Sequence, residues 1–292
     1  LHNITDANID RKKTELLLDK RLDFNQTRND SIMILVNVSG GGLRSTAWAF
    51  TTLMELDSLT NGALTRHTIL IAGSSGGMIG AAYWRELMYR KKRGLDSLSF
   101  ISHFKNLTND LLNPIIFTMV GNDFSFRFRK TVYRGHKYKY DRAFAFEKQL
   151  NKNTNGWFDV PLSHYQKPEA NGEIPMLIIS PTILNDGRRL LISSQPISYL
   201  SDKTNLKIKG WKPLAENVEF RRLFINQNAD SLRYLSALRM NATFPYILPA
   251  VTLPSNPEIE VMDAGIRDNY GLETSYQFAV SMRSWIKKNI RK

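Results

Sequence analysis

Residues Ile69 to Tyr83 read I-L-I-A-G-S-S-G-G-M-I-G-A-A-Y, and this stretch decides the fold. Ile69, Leu70, Ile71 and Ala72 are the end of a buried strand. Gly73-Ser74-Ser75-Gly76-Gly77 then fits G-x-S-x-G with Ser75 at its centre, and a helix of small residues follows. Strand, tight turn and helix form the context that holds a nucleophilic serine on a strained elbow. Gly73 and Gly77 flank that elbow and keep Cβ atoms out of its sharpest bend. Ser75 would stand at a helix N-terminus, where free N–H groups and the helix dipole favour negative charge. A glycine-rich turn without chemistry fits the same five residues, so the rest of the chain must decide.

Outward toward the N-terminus, Ser31 to Val38 reads S-I-M-I-L-V-N-V, a near-continuous apolar run that suits a buried parallel strand. It enters Ser39-Gly40-Gly41-Gly42-Leu43-Arg44-Ser45, and Thr46 to Leu59 carries apolar residues at helical spacing. The order strand, helix, strand, helix predicts an α/β fold with a mostly parallel sheet and right-handed crossovers. Without side chains, Gly40, Gly41 and Gly42 can present backbone N–H groups to a developing negative charge, as an oxyanion hole requires. A phosphate cradle is the competing use. No Lys-Ser or Lys-Thr follows, so this is not a P-loop, and Ser45 breaks G-x-G-x-x-G. Arg44 reads either as a surface arginine or as a cation holding a substrate phosphate or carboxylate.

Outward toward the C-terminus, a helix from Gly76 to about Arg90 presents Gly76, Gly80 and Ala81 as a face for close packing on the sheet, and ends in a solvated basic run. A helix through Phe100 to Leu112 is stopped by Asn113-Pro114. Phe124 to Tyr140 interleaves aromatic and basic residues, a pattern that fits stacking on nucleic-acid bases, a lipid interface, or a half-buried cap. Ile174 to Ser180 is a buried strand, Asn185-Asp186-Gly187 a turn, and Arg189 to Ser193 the return strand. Leu232 to Met240 is a short helix, Glu258 to Met262 a last strand ending at Asp263-Ala264-Gly265, and Leu272 to Ile290 a closing amphipathic helix. Residues 1–30 read as a leading helix and linker, and residues 31–292 as one domain in which 97–170 form a variable cap.

The composition, 42% hydrophobic and 23% charged, is that of a globular protein, and no apolar run reaches the length of a membrane span. No cysteine occurs, which excludes disulfides, cysteine nucleophiles and thiolate metal sites. The net charge of +13 favours an anionic partner, nucleic acid or an anionic membrane face. No zinc-finger or RNA-recognition spacing supports nucleic acid. Leu1 in place of Met suggests an excised domain or processed product, intracellular or membrane-associated. Six N-x-S/T triplets begin at Asn3, Asn25, Asn29, Asn37, Asn106 and Asn241, and most read as chance matches in an Asn-rich chain.

A serine nucleophile needs a base. The five histidines are His2, His67, His103, His136 and His164; none follows His164, so the order Ser, acid, late His of α/β-hydrolases is excluded. Met78 stands where S-x-x-K would need Lys, and no H-E-x-x-H or similar metal spacing occurs. A carboxylate remains. Asp263, at a strand end among small residues, could take the Ser75 proton if burial raised its pKa from about 3.9. A plain turn is the other reading of Asp263-Ala264-Gly265.

Taken in order, Ser39-Gly40-Gly41-Gly42-Leu43-Arg44, Gly73-Ser74-Ser75-Gly76-Gly77 and Asp263-Ala264-Gly265 resemble the patatin-like phospholipase family, the first loop being most similar to its cytosolic phospholipase branch. Ser236 to Pro245 looks like the family's Ala/Ser-rich helix leading to Phe-Pro, and Asn269 matches an Asn that often follows its Asp motif. D-A-G stands here for the usual D-G-G or D-G-A, and residues 97–170 do not align. The resemblance implies a three-layer α/β/α patatin-like fold and a Ser75–Asp263 dyad without histidine. It implies Gly40, Gly41 and Gly42 as the oxyanion loop, with Gly41 and Gly42 donating, and Arg44 on a phosphate headgroup. It implies neither cofactor nor metal, a membrane phospholipid or other acyl-ester lipid as substrate, and peripheral contact with an anionic membrane. A neutral-lipid or thioester hydrolase, an acyltransferase, and a non-catalytic lipid-binding module are the alternatives.

Overall fold

The computed structural model describes residues 4–30, 32–123, 130–133, 136–201 and 216–290. The chain begins with α1 (Ile4–Phe24), β1 (Ile34–Val38), α2 (Gly42–Leu59), α3 (Ala63–His67), β2 (Thr68–Gly73) and α4 (Ser75–Lys92). Then come α5 (Phe100–Leu107), α6 (Leu112–Thr118), the β3 (Lys130–Tyr133) and β4 (His136–Lys139) hairpin, α7 (Arg142–Asn153) and α8 (Gln166–Ala170). Next are β5 (Met176–Ile179), β6 (Thr182–Ile183), β7 (Arg189–Leu191), β8 (Asn217–Glu219) and α9 (Phe220–Leu223). α10 (Tyr234–Asn241), β9 (Val251–Leu253), β10 (Ile259–Met262), α11 (Leu272–Ser281) and α12 (Arg283–Asn289) complete it.

The chain is an α/β protein. β1, β2 and β5 pair in parallel, with β2 central and every one of its residues buried. A second sheet runs β8-β7-β6-β10-β9. In it only β7 and β8 are parallel; β6–β7, β6–β10 and β9–β10 are antiparallel. The two are stitched by reciprocal bonds between Ile179 and Ile192 (2.9 and 2.8 Å). The expectation of a mostly parallel sheet therefore holds for the first sheet alone. β6 and β7, and β9 and β10, are joined by short connections, which reverse the chain, whereas β1, β2 and β5 are joined through helices, which return it in the same sense.

Helices cover both faces of the parallel sheet. Ile71, Leu177 and Ile179 face one core with α2, α4 and α10, while Leu70, Met176 and Ile178 face another with α1, α11 and α12. α1 is bound into that second core by Leu17, Leu18 and Leu22, so it is no detached linker. Its Arg21 is buried and donates to the carbonyls of Thr65, Thr68 and Gly172 (2.7, 2.9 and 2.8 Å). Burial, then the nearby Arg85, lowers this guanidinium to about 9.

Other expectations need correction. α2 starts at Gly42 rather than Thr46, so the glycine loop runs straight into the first turn, with Gly41 as its N-cap. Pro114 does not stop a helix but sits in the first turn of α6, where its missing N–H has no acceptor to lose. The closing helix breaks at Met282, and the bend lets Trp285 bury and donate to Asp19 (3.1 Å). Most of the aromatic and basic side chains of Phe124 to Tyr140 lie outside the described residues. Asn37 and Asn241 are held in strand and core, bonded to Ser275 and to Gly73 and Ser180, which removes them as glycan acceptors.

The small face of α4 packs on α2, not on the sheet as expected. A Cβ at Gly80 would lie 2.4 Å from the Thr46 carbonyl oxygen and 3.2 Å from Ala49 Cβ. Gly→Ala inside a helix normally gains about 1 kcal/mol. Here Gly80→Ala is expected to lose about 1–3 kcal/mol by overpacking, with chemical denaturation giving the sign.

Candidate active site

β2 delivers the chain to its elbow in a conformation that only a special context tolerates. Ser75 has φ +49°, the left-handed region, which costs a non-glycine residue about 1–2 kcal/mol. Several bonds hold it there. Ser74, fully buried, donates its N–H to the Val38 carbonyl (3.1 Å) and its hydroxyl to the Asn269 carbonyl (2.6 Å). The Asn241 amide donates to the Gly73 carbonyl (3.1 Å), and its oxygen accepts from Ser180 N–H (3.1 Å), clamping the ends of β2 and β5 together. Gly73 and Gly77 back the elbow against β1: a Cβ would lie 2.4 Å from Val38 O at the first and 2.1 Å from Ser39 O at the second.

The glycine loop lies directly beside this elbow. Gly41 and Gly42 have φ +141° and +61°. A Cβ on Gly40 would come within 3.2 Å of Ser75 Cβ, and one on Gly76 would lie 1.9 Å from Gly42 O. α2 and α4 thus place their N-termini side by side at Ser75. Both dipoles and the free amides of two first turns favour negative charge at one point. Of the three loop glycines, Gly40 is occupied: its N–H bonds both the carbonyl and the side-chain oxygen of Asn269, each at 3.2 Å. Gly41 and Gly42, at the start of α2, have no such backbone partner among the described residues. Gly41 and Gly42 are therefore the loop amides left to meet a ligand, and Gly40 is not.

β10 delivers Asp263 to the same place. Its N–H bonds the Thr243 carbonyl (3.1 Å), and its carbonyl accepts from the Thr182 hydroxyl (3.0 Å). Oδ1 accepts from Gly265 N–H (2.7 Å); Oδ2 is buried and makes no hydrogen bond of normal geometry. Burial pushes the carboxyl above its ordinary value, and the Gly265 N–H and then the Ser75 hydroxyl pull it partly back. The Ser75 hydroxyl therefore lies near enough to the Asp263 carboxyl to act on it.

Ser75, Asp263, Gly40, Gly41, Gly42 and Asn269 line one cavity of about 710 Å³. Its remaining walls are largely apolar, from Leu43, Ile79, Leu111, Ile115, Phe146 and Leu248 among others. Arg44 is not part of the lining; it is exposed on the first turn of α2, one residue past Leu43. None of the described histidine side chains reaches the cavity. His67 bonds Asp30, His103 bridges Tyr83 and Asp96, and exposed His164 packs on Tyr165. No group of three His, Cys, Asp or Glu among the described residues is placed to hold a metal. Reading the sequence missed the clamp residue Asn241 and the walls given by α6 and α7. Asn241 carried no signal beyond its polarity at a helix end, and α6 was hidden by Pro114.

The chain matches no protein-family model and no curated protein.

A raised Asp263 pKa has a stability consequence. The folded state holds this proton more tightly than the unfolded state, so stability falls as pH rises from the ordinary 3.8 through the raised value. Asp263→Asn keeps an acceptor for Gly265 N–H and removes that loss. Denaturation curves are expected to show it more stable than the parent at pH 7, with the difference closing as pH falls toward 3.8.

Proposed function

We propose that this chain is a serine acyl-ester hydrolase of the patatin-like kind, with lipid as substrate. One observation carries the reading: a serine at φ +49° and a buried carboxylate with an unbonded oxygen line the same apolar cavity. Strain of this kind persists where surroundings over-determine it, and gathers at reactive sites. The motif resemblance and the helices on both faces of the parallel sheet support the same reading.

The mechanism follows from the placement. Ser75 Oγ attacks the ester carbonyl carbon while its proton passes to the Asp263 carboxylate. The carbonyl oxygen takes up the negative charge, and Gly41 and Gly42 N–H groups donate to it. As the tetrahedral intermediate collapses, the C–O bond to the alcohol breaks and Asp263 returns the proton to the leaving oxygen. Water then gives a proton to Asp263 and attacks the acyl-serine. Ser75 recovers its proton, and the fatty acid leaves. Burial suits Asp263 to this work, since a base is most effective when its pKa approaches the operating pH. The apolar walls suit an acyl chain, whose methylenes gain about 0.8 kcal/mol each on burial.

The surroundings of the mouth favour a lipid surface. Leu112, Phe244, Ile247 and Ile266 line the cavity and are also exposed to solvent. Phe117, on α6 with Leu112, is 80% exposed, and Tyr246, beside Ile247, is 91% exposed. Apolar side chains held outward around an apolar opening suit insertion at an interface, and the net charge of +13 suits anionic lipid. Arg44, exposed just outside the cavity, is proposed to meet the headgroup. No helix of the described residues is long and apolar enough to cross a membrane, so this contact would be made from one side.

Two measurements test the reading. A fluorophosphonate is expected to add once to the native chain by intact mass and not at all to Ser75→Ala, with Asp263→Asn labelled on the order of 10²-fold more slowly or worse. Adduct on Ser75→Ala would sink the proposal. Separately, Phe117→Asp and Tyr246→Asp are expected to cut sedimentation with phosphatidylserine-containing vesicles while leaving turnover of a short soluble ester intact. Unchanged partitioning would remove the lipid-surface contact.

A further inference from the structure

Asn269 stands between three parts of the site that are far apart in sequence. Its side-chain oxygen accepts from Gly40 N–H (3.2 Å) and from the Ser74 hydroxyl (3.0 Å). Its main-chain carbonyl accepts from the same two donors, at 3.2 and 2.6 Å. A Cβ on Gly265 would lie 3.1 Å from the Asn269 side-chain oxygen and 3.0 Å from Asp263 Oδ1. One amide oxygen therefore touches the glycine loop, the elbow and the neighbourhood of the acid. Gly40 N–H can only donate, so the group turned toward it must be the amide oxygen and not the nitrogen.

We propose that Asn269 is a positioning residue that selects which amides of the glycine loop serve the reacting carbonyl. This rests on the Ser75–Asp263 reading. By binding Gly40 N–H and tying it to Ser74, Asn269 turns the loop so that Gly41 and Gly42 N–H are the donors left for the oxyanion. The Ser74 hydroxyl bond fixes that loop to the residue immediately before the nucleophile. Oxyanion donors must be placed to within a few tenths of an ångström, and losing one costs about 10²–10³ in turnover.

Neutrality is the second half of the role. Asp263 is faced by Gly265 N–H from its own loop, by Ser75 from α4 and, at its carbonyl, by Thr182 from β6. Among the described residues no charged side chain contributes to its shift. The charges on its own loop are engaged elsewhere: Arg267 with Glu216 (3.6 Å) and Asp268 with Arg189 (3.4 Å). An amide oxygen supplies the acceptor that Gly40 and Ser74 need without setting a second negative charge beside the base. A carboxylate in its place would form a coupled pair with Asp263 and raise the upper pKa of that pair, whichever oxygen held the proton.

The test compares Asn269→Asp and Asn269→Ala with the native 292-residue chain and Ser75→Ala, by fluorophosphonate labelling rate and by the pH profile of short-ester turnover. The main-chain carbonyl can still accept both donors in either variant, which supports folding, and Asn269→Asp also keeps the side-chain acceptor, so that variant isolates the effect of charge while Asn269→Ala tests positioning. Asn269→Ala is expected to lose roughly 10- to 100-fold in kcat with KM nearly unchanged, as for a weakened oxyanion hole. For Asn269→Asp the acid limb of kcat/KM is expected to move up by about one pH unit or more. A residue that merely filled space would leave that limb in place. If Asn269→Asp keeps the native acid limb, the neutrality half is wrong; if folded Asn269→Ala labels within about twofold of the native rate while Ser75→Ala is inert, the positioning role is wrong and the dyad stands. If Ser75→Ala still labels, or the native chain never does, the dyad fails and this role fails with it.

Discussion

Gly76 and Gly80 let α4 lie against α2 so closely that a Cβ at Gly76 would stand 1.9 Å from the Gly42 carbonyl oxygen. The Thr46 hydroxyl fills the contact, donating to the Gly76 carbonyl (2.8 Å) and to the Gly42 carbonyl (3.2 Å). From this approach the rest of the site follows. Two helix N-termini open onto the same point, and the glycine loop is carried against the elbow. The chain must turn from β2 into α4 within one residue, and Ser75 takes the strained φ that results. A bulkier contact would separate the helices, relax the elbow and move the free amides away from the hydroxyl.

The acid arrives by a different physical route. β10 belongs to the mixed sheet, and that sheet is bridged to the parallel one at Ile179 and Ile192. Side-chain hydrogen bonds complete the join. Asn241 ties β2 to the start of the β5–β6 connection, Thr182 holds the Asp263 carbonyl, and Asn269 closes onto Gly40 and Ser74. Buried polar groups of this kind define one arrangement, because each partner left unpaired would cost about 1–3 kcal/mol.

Two buried carboxylates of the same loop show how environment divides their tasks. Asp268 accepts from the Thr274 N–H and hydroxyl (3.0 Å each) and pairs with buried Arg189, which fits it for holding α11 in place. Asp263, on which no cation among the described residues acts, keeps one oxygen unbonded and a raised pKa. Burial without a paired cation disfavours the charged form of Asp263, so its carboxyl holds a proton more readily than an exposed one would.

The sequence by itself determined the local elements of the site. Apolar runs, a G-x-S-x-G turn and a triple glycine specify strand, elbow and loop through contacts a few residues apart, so Ser75 and Gly40 to Gly42 were legible. The histidine positions left a carboxylate as the candidate base, and the motif resemblance pointed to Asp263. Tertiary structure alone decided which loop amides are free, since Gly40 is bonded by Asn269 from across the fold. It also decided that the second sheet is mixed, that α1 belongs to the core, that Pro114 opens a helix rather than ending one, and that the cavity wall comes from α6 and α7. These are matters of long-range packing and of which partner wins each buried hydrogen bond. Local periodicity carries neither, because the groups involved meet only after the chain has folded.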